Sequence, residues 1–245
     1  MVGKLFVCIM AYNEEKNIGR VIADVSASGM ADEIIVVDDA STDGTGGVVA
    51  AFPGVKYARN EVNRGIGGTE KRLCDEFLKH ATGGDDVMVI MHGDGQMRVE
   101  ELELFKRTFE TTDADVVLGS RLLGRSNFLD GGRRPLWKIL GDIAACTCLN
   151  IAFATRLHSY GSAFRGWKRS SVAVLRYNEC SNKVVFGIEI IAMARLQNLK
   201  MREIPIQTVW SDFAFNSNIM RYVIDVFGCM FRYGPRIWKA KLRLG

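Results

Sequence analysis

Four short segments of the chain are dense in side chains able to hold a polar or charged ligand. They are Ala11-Tyr12-Asn13-Glu14-Glu15, Asp38-Asp39-Ala40-Ser41-Thr42-Asp43-Gly44-Thr45, His92-Gly93-Asp94-Gly95-Gln96 and Gly119-Ser120-Arg121. Their carboxylates can accept hydrogen bonds from a ligand's N–H or hydroxyl groups. A structural duty competes for each. Asn13 and Ser41 suit helix N-caps, and Asp43-Gly44 suits a turn. Capping accounts for any one segment as well as ligand binding does, but it accounts poorly for four at once.

Each segment follows an apolar run. Residues 4–10, 33–39, 85–94 and 113–120 are rich in strand formers and end in acids or glycine. Such continuous runs read as parallel strands buried on both faces. Helix-length stretches lie between them, at about 14–28, 66–82 and 98–111. Glu100, Glu101 and Glu103 sit in the first turns of the third, where the helix dipole favours carboxylates. Strands alternating with helices predict a Rossmann-like α/β fold, a mostly parallel open sheet flanked by helices. Ligands bind such sheets at the carboxyl ends of the strands, so the four segments are expected on one rim.

The second half reads differently. A long apolar helix is expected over 134–155, a short strand over 160–165 and a helix over 186–198. EIPIQTV at 203–209 reads as an edge strand, because of its proline. A last helix is expected over 217–233, interrupted by Pro235. The simplest division is one domain over 1–215 and a basic amphipathic helical extension over 216–245. That tail is expected to pack on the domain, on a partner in a homodimer or on a membrane surface.

Of the 245 residues, 48% are hydrophobic and 24% charged, which excludes wholesale disorder. No apolar stretch is long enough to span a bilayer, and the N-terminus lacks the form of a signal peptide. The expected location is the cytoplasm or the cytoplasmic face of a membrane. The six cysteines are scattered, and Cys146 and Cys148 do not have zinc-knuckle spacing, so free thiols are expected. The net charge of +4 is uneven: residues 219–245 carry +5 and the rest −1. A basic tail containing Tyr222, Phe227, Phe231, Tyr233 and Trp238 suits an anionic surface. No nucleic-acid motif appears.

AYNEE, VVDDASTDGT, NRGIGG, the Asp94–Gln96 segment, VVLGSR and FGIEI…REIPI stand in the order seen in family-2 inverting glycosyltransferases of the GT-A fold. The chain resembles that family over residues 4–210, most of all the branch of dolichyl- and polyprenyl-phosphate glycosyltransferases. The resemblance implies a nucleotide-sugar donor, with Ala11, Tyr12, Glu14 and Asp39 around its base and ribose. It places Gly65 and Gly67, with Lys71 or Arg72 nearby, along the nucleotide pocket. Asp94 would bind Mg²⁺ or Mn²⁺ bridging the diphosphate, supported by Gln96. Oxygen ligands around such a cation offset the charge growing on the leaving group.

Two positions depart from the family pattern. His92 stands where an acid is usual, either as a metal ligand or as a strand-end histidine. Ser159 stands where an acid commonly precedes the matching Phe164 and Arg165. Glu189 matches an acid near the reaction centre, or else it pairs with Arg195 or another base.

A phosphate acceptor is already ionised and needs no general base, only cations to hold it against the diphosphate. Arg121, Arg133 and Arg134 are candidates, since guanidinium forks match phosphate. A polyprenyl or dolichyl phosphate would account for these arginines and for the tail. Other readings are transfer to a sugar hydroxyl, nucleotide-sugar binding without catalysis, and nucleotidyl transfer. An NAD-type site at Gly44–Ala50 fits poorly, because its glycines do not follow the first strand.

Overall fold

The computed structural model describes residues 2–123, 136–207 and 219–243. In chain order its elements are β1 (Leu5–Ala11), α1 (Ile18–Ala27), β2 (Glu33–Asp38), α2 (Thr45–Ala50), β3 (Lys56–Arg59), α3 (Gly65–His80) and β4 (Val87–His92). There follow α4 (Leu102–Thr111), β5 (Val116–Ser120), α5 (Leu136–Phe153), β6 (Arg165–Lys168), α6 (Arg169–Val174), α7 (Phe186–Leu196), β7 (Met201–Pro205) and α8 (Ile219–Leu242). The strands form one sheet in the order β3-β2-β1-β4-β6-β5-β7. All pairings are parallel except those of β6, which runs antiparallel between β4 and β5.

All seven residues of β1 are buried, and it runs between β2 and β4. Its alternate side chains serve two cores. Phe6, Cys8 and Met10 pack on one face against Leu73, Cys74 and Phe77 of α3, together with α7 and the buried side of α8. Leu5, Val7 and Ile9 pack on the other face against Ile18, Ile22 and Val25 of α1 and Phe105 of α4. Cover on both sides is why these strands read as unbroken apolar runs.

The register fixes where the polar segments fall. Ala11 is level with Asp38, and Met10 with His92. The turns after β1, β2 and β4 therefore leave the sheet at one edge, as the alternation of strands and helices predicts.

The expected strand near 160–165 begins instead at Arg165, and its Arg-Gly-Trp-Lys sequence carries no apolar run. Gly166 is required there, since a Cβ would lie 2.7 Å from the Phe109 ring. The strand expected at 203–209 is found at Met201–Pro205, at the sheet edge beside β5, and Pro205 closes it. Pro235 does not end the last helix, which runs through to Leu242. Proline removes one N–H, that facing the Phe231 carbonyl. Both Phe231 and Pro235 face solvent, where water replaces the lost donor, while Tyr233 and Ile237 are fully buried on the opposite side and hold the helix on course.

Glu101 closes the turn before α4 and is buried. One of its oxygens accepts the Gln207 N–H beyond β7, and the other has no partner. Burial pushes its pKa up to about 7, against the Gln207 hydrogen bond. The folded carboxyl thus keeps its proton to higher pH than the unfolded one, which releases it near about 4.3. Its contribution is complete below that value and is lost as pH rises through about 7. Glu101→Gln should raise stability by about 1–3 kcal/mol at pH 8 and change it little at pH 4. Urea unfolding at both pH values measures this.

Candidate functional site

The loops after β1 and β2 are joined side by side. The Asn13 N–H donates to Ser41 Oγ at 2.9 Å, and Asn13 Oδ1 accepts the Thr42 N–H at 2.8 Å. The Glu14 N–H donates to Thr45 Oγ1 at 2.8 Å, and the Glu15 N–H to Asp43 Oδ2 at 3.1 Å. Glu15 Oε2 in turn accepts the Gly44 N–H. Asn13 and Ala40 adopt left-handed φ values of 56° and 61°, which bend the two loops together. Asn tolerates that conformation, whereas Ala40 holds it at a cost. Asn13 and Ser41 therefore bind each other's loops and cap no helix. Asp43 does serve α2, accepting the N–H and hydroxyl of Thr45.

Both acids at the end of β2 are buried and occupied. Asp38 accepts the Ser41 N–H, the Tyr57 hydroxyl at 2.7 Å and Arg59 Nη1 at 3.1 Å. Asp39 Oδ1 accepts Asn60 Nδ2 at 2.7 Å and the Arg64 N–H at 2.9 Å, while Oδ2 accepts the Gly65 N–H at 2.9 Å. Asp39 thus shapes the turn into α3 and keeps one acceptor position on Oδ2, given about four per carboxylate. Gly65 has φ +70°, which favours glycine at this point of the turn.

Gly67 sits in packing, not along an open pocket. A Cβ there would lie 2.7 Å from the Ser181 carbonyl oxygen and 2.8 Å from Phe186 Cβ. Lys71 is drawn the same way, donating to the Cys180 carbonyl and to Asn182 Oδ1 at 2.8 Å. Arg72 pairs with Glu76 along α3.

Asp94 stands at the rim, a quarter exposed, with Oδ1 accepting the Gln96 N–H at 2.9 Å. His92 Nδ1 faces Asp94 Oδ2 at 3.9 Å, beyond hydrogen-bond length. Its Nε2 is buried without a partner. Burial lowers the His92 pKa, and the charge of Arg165 adds to this against the pull of Asp94, which favours neutral imidazole at neutral pH. Glu14 stands close enough for Asp94 and Asp43 to act on it. Burial and these two charges raise its pKa, against a hydrogen bond from Asn17. Tyr12, two residues before Glu14, is exposed.

Beneath the rim, Arg165 on β6 and Glu70 on α3 form a fully buried ion pair, with Nη2 at 2.6 and 2.7 Å from the two carboxylate oxygens. Arg165 Nη1 also donates to the Gly187 carbonyl at 3.1 Å. The pair ties β6, α3 and α7 under His92. Glu70 lies just past the NRGIGG segment, and only its adjacency to that motif marks it in the sequence.

Glu189 is buried on α7. Its Oε2 accepts the Ser181 N–H at 2.6 Å and the Ser181 hydroxyl at 2.7 Å, and its Oε1 lies 3.5 Å from Arg232 Nη1. Its cationic partner is therefore Arg232 and not Arg195, which turns to the Ala154 carbonyl and Asn198. The Ser159 N–H donates to Glu203 of β7, which also holds His158. Arg121 follows β5, near enough to Tyr222 of α8 for its charge to bear on that phenol. Arg133 and Arg134 lie outside the described residues. A cavity of about 280 Å³ opens between the start of α3, residues 182–185 and the first turns of α8, and Gly65, Ile66, Arg221 and Tyr222 line it.

Among the described residues no three His, Cys, Asp or Glu side chains converge to hold a metal by themselves. A cation at this rim would rest on Asp94, with a ligand's oxygens and water completing its shell. Mg²⁺ and Mn²⁺ are commonly held so, by one or two carboxylates plus substrate phosphates.

Comparison with known proteins gives a consistent picture. Residues 6–176 match the family described as glycosyl transferase family 2. The chain is 24% identical over 241 residues to the UDP-N-acetylglucosamine–dolichyl-phosphate N-acetylglucosaminyltransferase of Methanococcus voltae, covering 88% of this chain and 90% of that one. It is 24% identical over 260 residues to a dolichyl-phosphate β-glucosyltransferase of Trichomonas vaginalis, covering 98% and 76%. Among solved structures it is similar to glucosyl-3-phosphoglycerate synthase of Mycobacterium tuberculosis, in complex with Mn²⁺, UDP and glucosyl-3-phosphoglycerate. The TM-score there is 0.67 at 15% identity, over 95% of this chain and 80% of that one. The shared architecture is the GT-A fold.

Asp39→Ala would strip three donors around the turn into α3 of their acceptor. The expected cost is about 2–4 kcal/mol in urea unfolding, since buried donors left unpaired lose their full desolvation energy. Asp39→Asn, which keeps an acceptor oxygen, should cost less than half of that.

Proposed function

The chain belongs to glycosyl transferase family 2, and on that footing we propose that it moves a sugar, with inversion, from a UDP- or GDP-sugar to a polyprenyl or dolichyl phosphate. The observation that carries the donor half is the joined pair of loops after β1 and β2. They bring Glu14 near Asp94, and Tyr12 and Asp39 stand on the same joined segments. An aromatic ring and a carboxylate suit a base and its N–H or a ribose hydroxyl. The M. voltae and T. vaginalis relatives, named for dolichyl-phosphate acceptors, support the acceptor class.

The acids at this rim repel a diphosphate, so a cation is needed between them. Asp94 fits Mg²⁺ or Mn²⁺, with one oxygen held by the Gln96 N–H and the other 3.9 Å from His92 Nδ1. His92 then serves as a further ligand or as a neutral neighbour orienting Asp94. When bound, the metal offsets the charge that develops on the leaving nucleoside diphosphate.

In the transfer, the bond from the anomeric carbon to the donor's phosphate oxygen breaks. A bond to the acceptor's oxygen forms on the opposite face. A hydroxyl acceptor would need a general base to take its proton. Glu189, the acid the resemblance puts nearest the reaction centre, is buried and already bound by Ser181 and Arg232. It positions residues 180–182 rather than standing ready for a proton. A phosphate acceptor needs no such base, only cations. Arg121 beside Tyr222 is the described candidate, with Arg133 and Arg134 as further ones.

Incubation with radiolabelled UDP-glucose, UDP-N-acetylglucosamine or GDP-mannose and a short prenyl phosphate should give an acid-labile glycosyl phosphate with one donor. EDTA should abolish it and Mn²⁺ restore it. Arg121→Ala should lower kcat/KM for the prenyl phosphate by about 10–100-fold, as expected for a lost charge-assisted contact. The KM for the donor should change little. Product from a sugar alcohol but none from a prenyl phosphate would move the reading to hydroxyl transfer.

A further inference from the structure

The last helix carries two apolar faces, and only one is covered. Val226, Cys229, Tyr233 and Ile237 are buried against the body of the protein. On the opposite side Met220, Ile224, Phe227, Phe231, Trp238 and Leu242 are 42–78% exposed. Their spacing of three, four and seven residues makes a continuous stripe along all 24 residues of α8. A second exposed apolar surface adjoins it. Trp238 Nε1 donates to the Ile151 carbonyl, and a Cβ on Gly234 would lie 3.2 Å from the Ala152 oxygen. With Tyr222 near Asp142 and Cys146, α5 and α8 lie side by side and run in the same direction. Leu140, Ile143 and Ile151 of α5 are 44–67% exposed.

The charges along the last half of α8 are all cationic. At roughly 100° per residue, Lys239 and Arg232 fall about a quarter turn from the stripe, Arg243 and Arg236 about a third of a turn or more, and Lys241 flanks its other side; of these, Arg232 is engaged by Glu189. The one acid of α8, Asp225, is engaged by Lys183. Trp238 lies among the cations, with Lys241 4.9 Å from its ring centre. No helix among the described residues is long and apolar enough to cross a membrane.

We infer that the exposed face of α5 and α8 docks the protein on an anionic lipid surface, with α8 lying in the plane of the headgroups. An apolar stripe edged by Lys and Arg, with Trp at its polar border, is the pattern of a helix that lies in an interface. A second copy of the chain fits less well. A two-fold interface centred on α8 would bring Arg236, Lys239, Lys241 and Arg243 of one copy near the same four cations of the other. The surface also explains why so apolar a helix as α5 is left uncovered. The inference deepens the lipid-phosphate reading and rests on it, since α8 also supplies Arg221 and Tyr222 to the cavity near Arg121. An acceptor anchored in the bilayer would thus meet the enzyme at its docked side.

The test is co-sedimentation of the full chain with vesicles that contain no prenyl phosphate. One set is phosphatidylcholine, and the other is phosphatidylcholine mixed equally with phosphatidylglycerol. Anionic vesicles should retain about tenfold more protein or better, and the excess should fall as salt is raised. Ile224→Asp with Phe231→Asp should abolish retention while leaving the melting temperature and transfer to a water-soluble prenyl phosphate unchanged. Arg236→Gln with Lys239→Gln should reduce it selectively on anionic vesicles. Equal retention on both vesicle types, retention unchanged in the aspartate variant, or a dimer in sedimentation velocity that the aspartate variant splits would each overturn the inference. Vesicle docking and soluble-acceptor transfer are separate readouts, so either proposal can fail without the other.

Discussion

Parallel strands all point their carboxyl ends at one edge of the sheet, and that constraint places nearly everything else in this molecule. With β1 held between β2 and β4, Ala11, Asp38 and His92 leave the sheet together. Residues far apart in the chain then share one rim, and the loops that carry them are short enough to bond directly. Packing secures the register. Shifting β1 by one residue would turn Phe6, Cys8 and Met10 out of one core and Leu5, Val7 and Ile9 out of the other. The site is a consequence of how the two cores are filled.

Acids do much of the remaining holding, at both edges of the sheet. At the amino ends, Asp32 accepts the Leu5 N–H, Asp86 accepts the N–H groups of Lys4, Thr82 and Gly83, and Asp115 accepts that of Lys200. At the carboxyl ends, Asp38 and Asp39 gather the turns that lead to β3 and α3. Each carboxylate replaces water around backbone donors that strand pairing cannot reach. The Glu70–Arg165 pair does the same job in the interior, where breaking it would strand a buried charge. What is left exposed for a ligand, chiefly Tyr12 and the edges of Glu14 and Asp94, stands on a frame held largely by such hydrogen bonds.

The strands covered on both faces were legible because their apolar runs are unbroken. β6 was misplaced because Arg165-Gly-Trp-Lys has no such run, and its arginine is buried only by virtue of Glu70, 95 residues earlier. The motif residues were legible as a group, yet their duties were not. Asn13 and Ser41 look like caps in isolation, and only folding brings them within 2.9 Å. Glu189 is similar: Arg195 is a nearby base in the sequence, while the observed partner, Arg232, comes from the far end of the chain. The length of α5 could be read from composition. That its apolar side stays uncovered could not, since exposure depends on what packs against it.

The account stands on Asp94 as the residue through which a divalent cation and a nucleotide sugar bind together. Calorimetric titration of UDP-glucose and GDP-mannose, with and without Mn²⁺, tests this most directly, with Asp94→Ala alongside. The account predicts binding of one nucleotide sugar that strengthens about tenfold or more with Mn²⁺, worth at least about 1.4 kcal/mol. That gain should vanish in Asp94→Ala while the variant stays folded. Binding that ignores the metal, or that survives intact in Asp94→Ala, would contradict it.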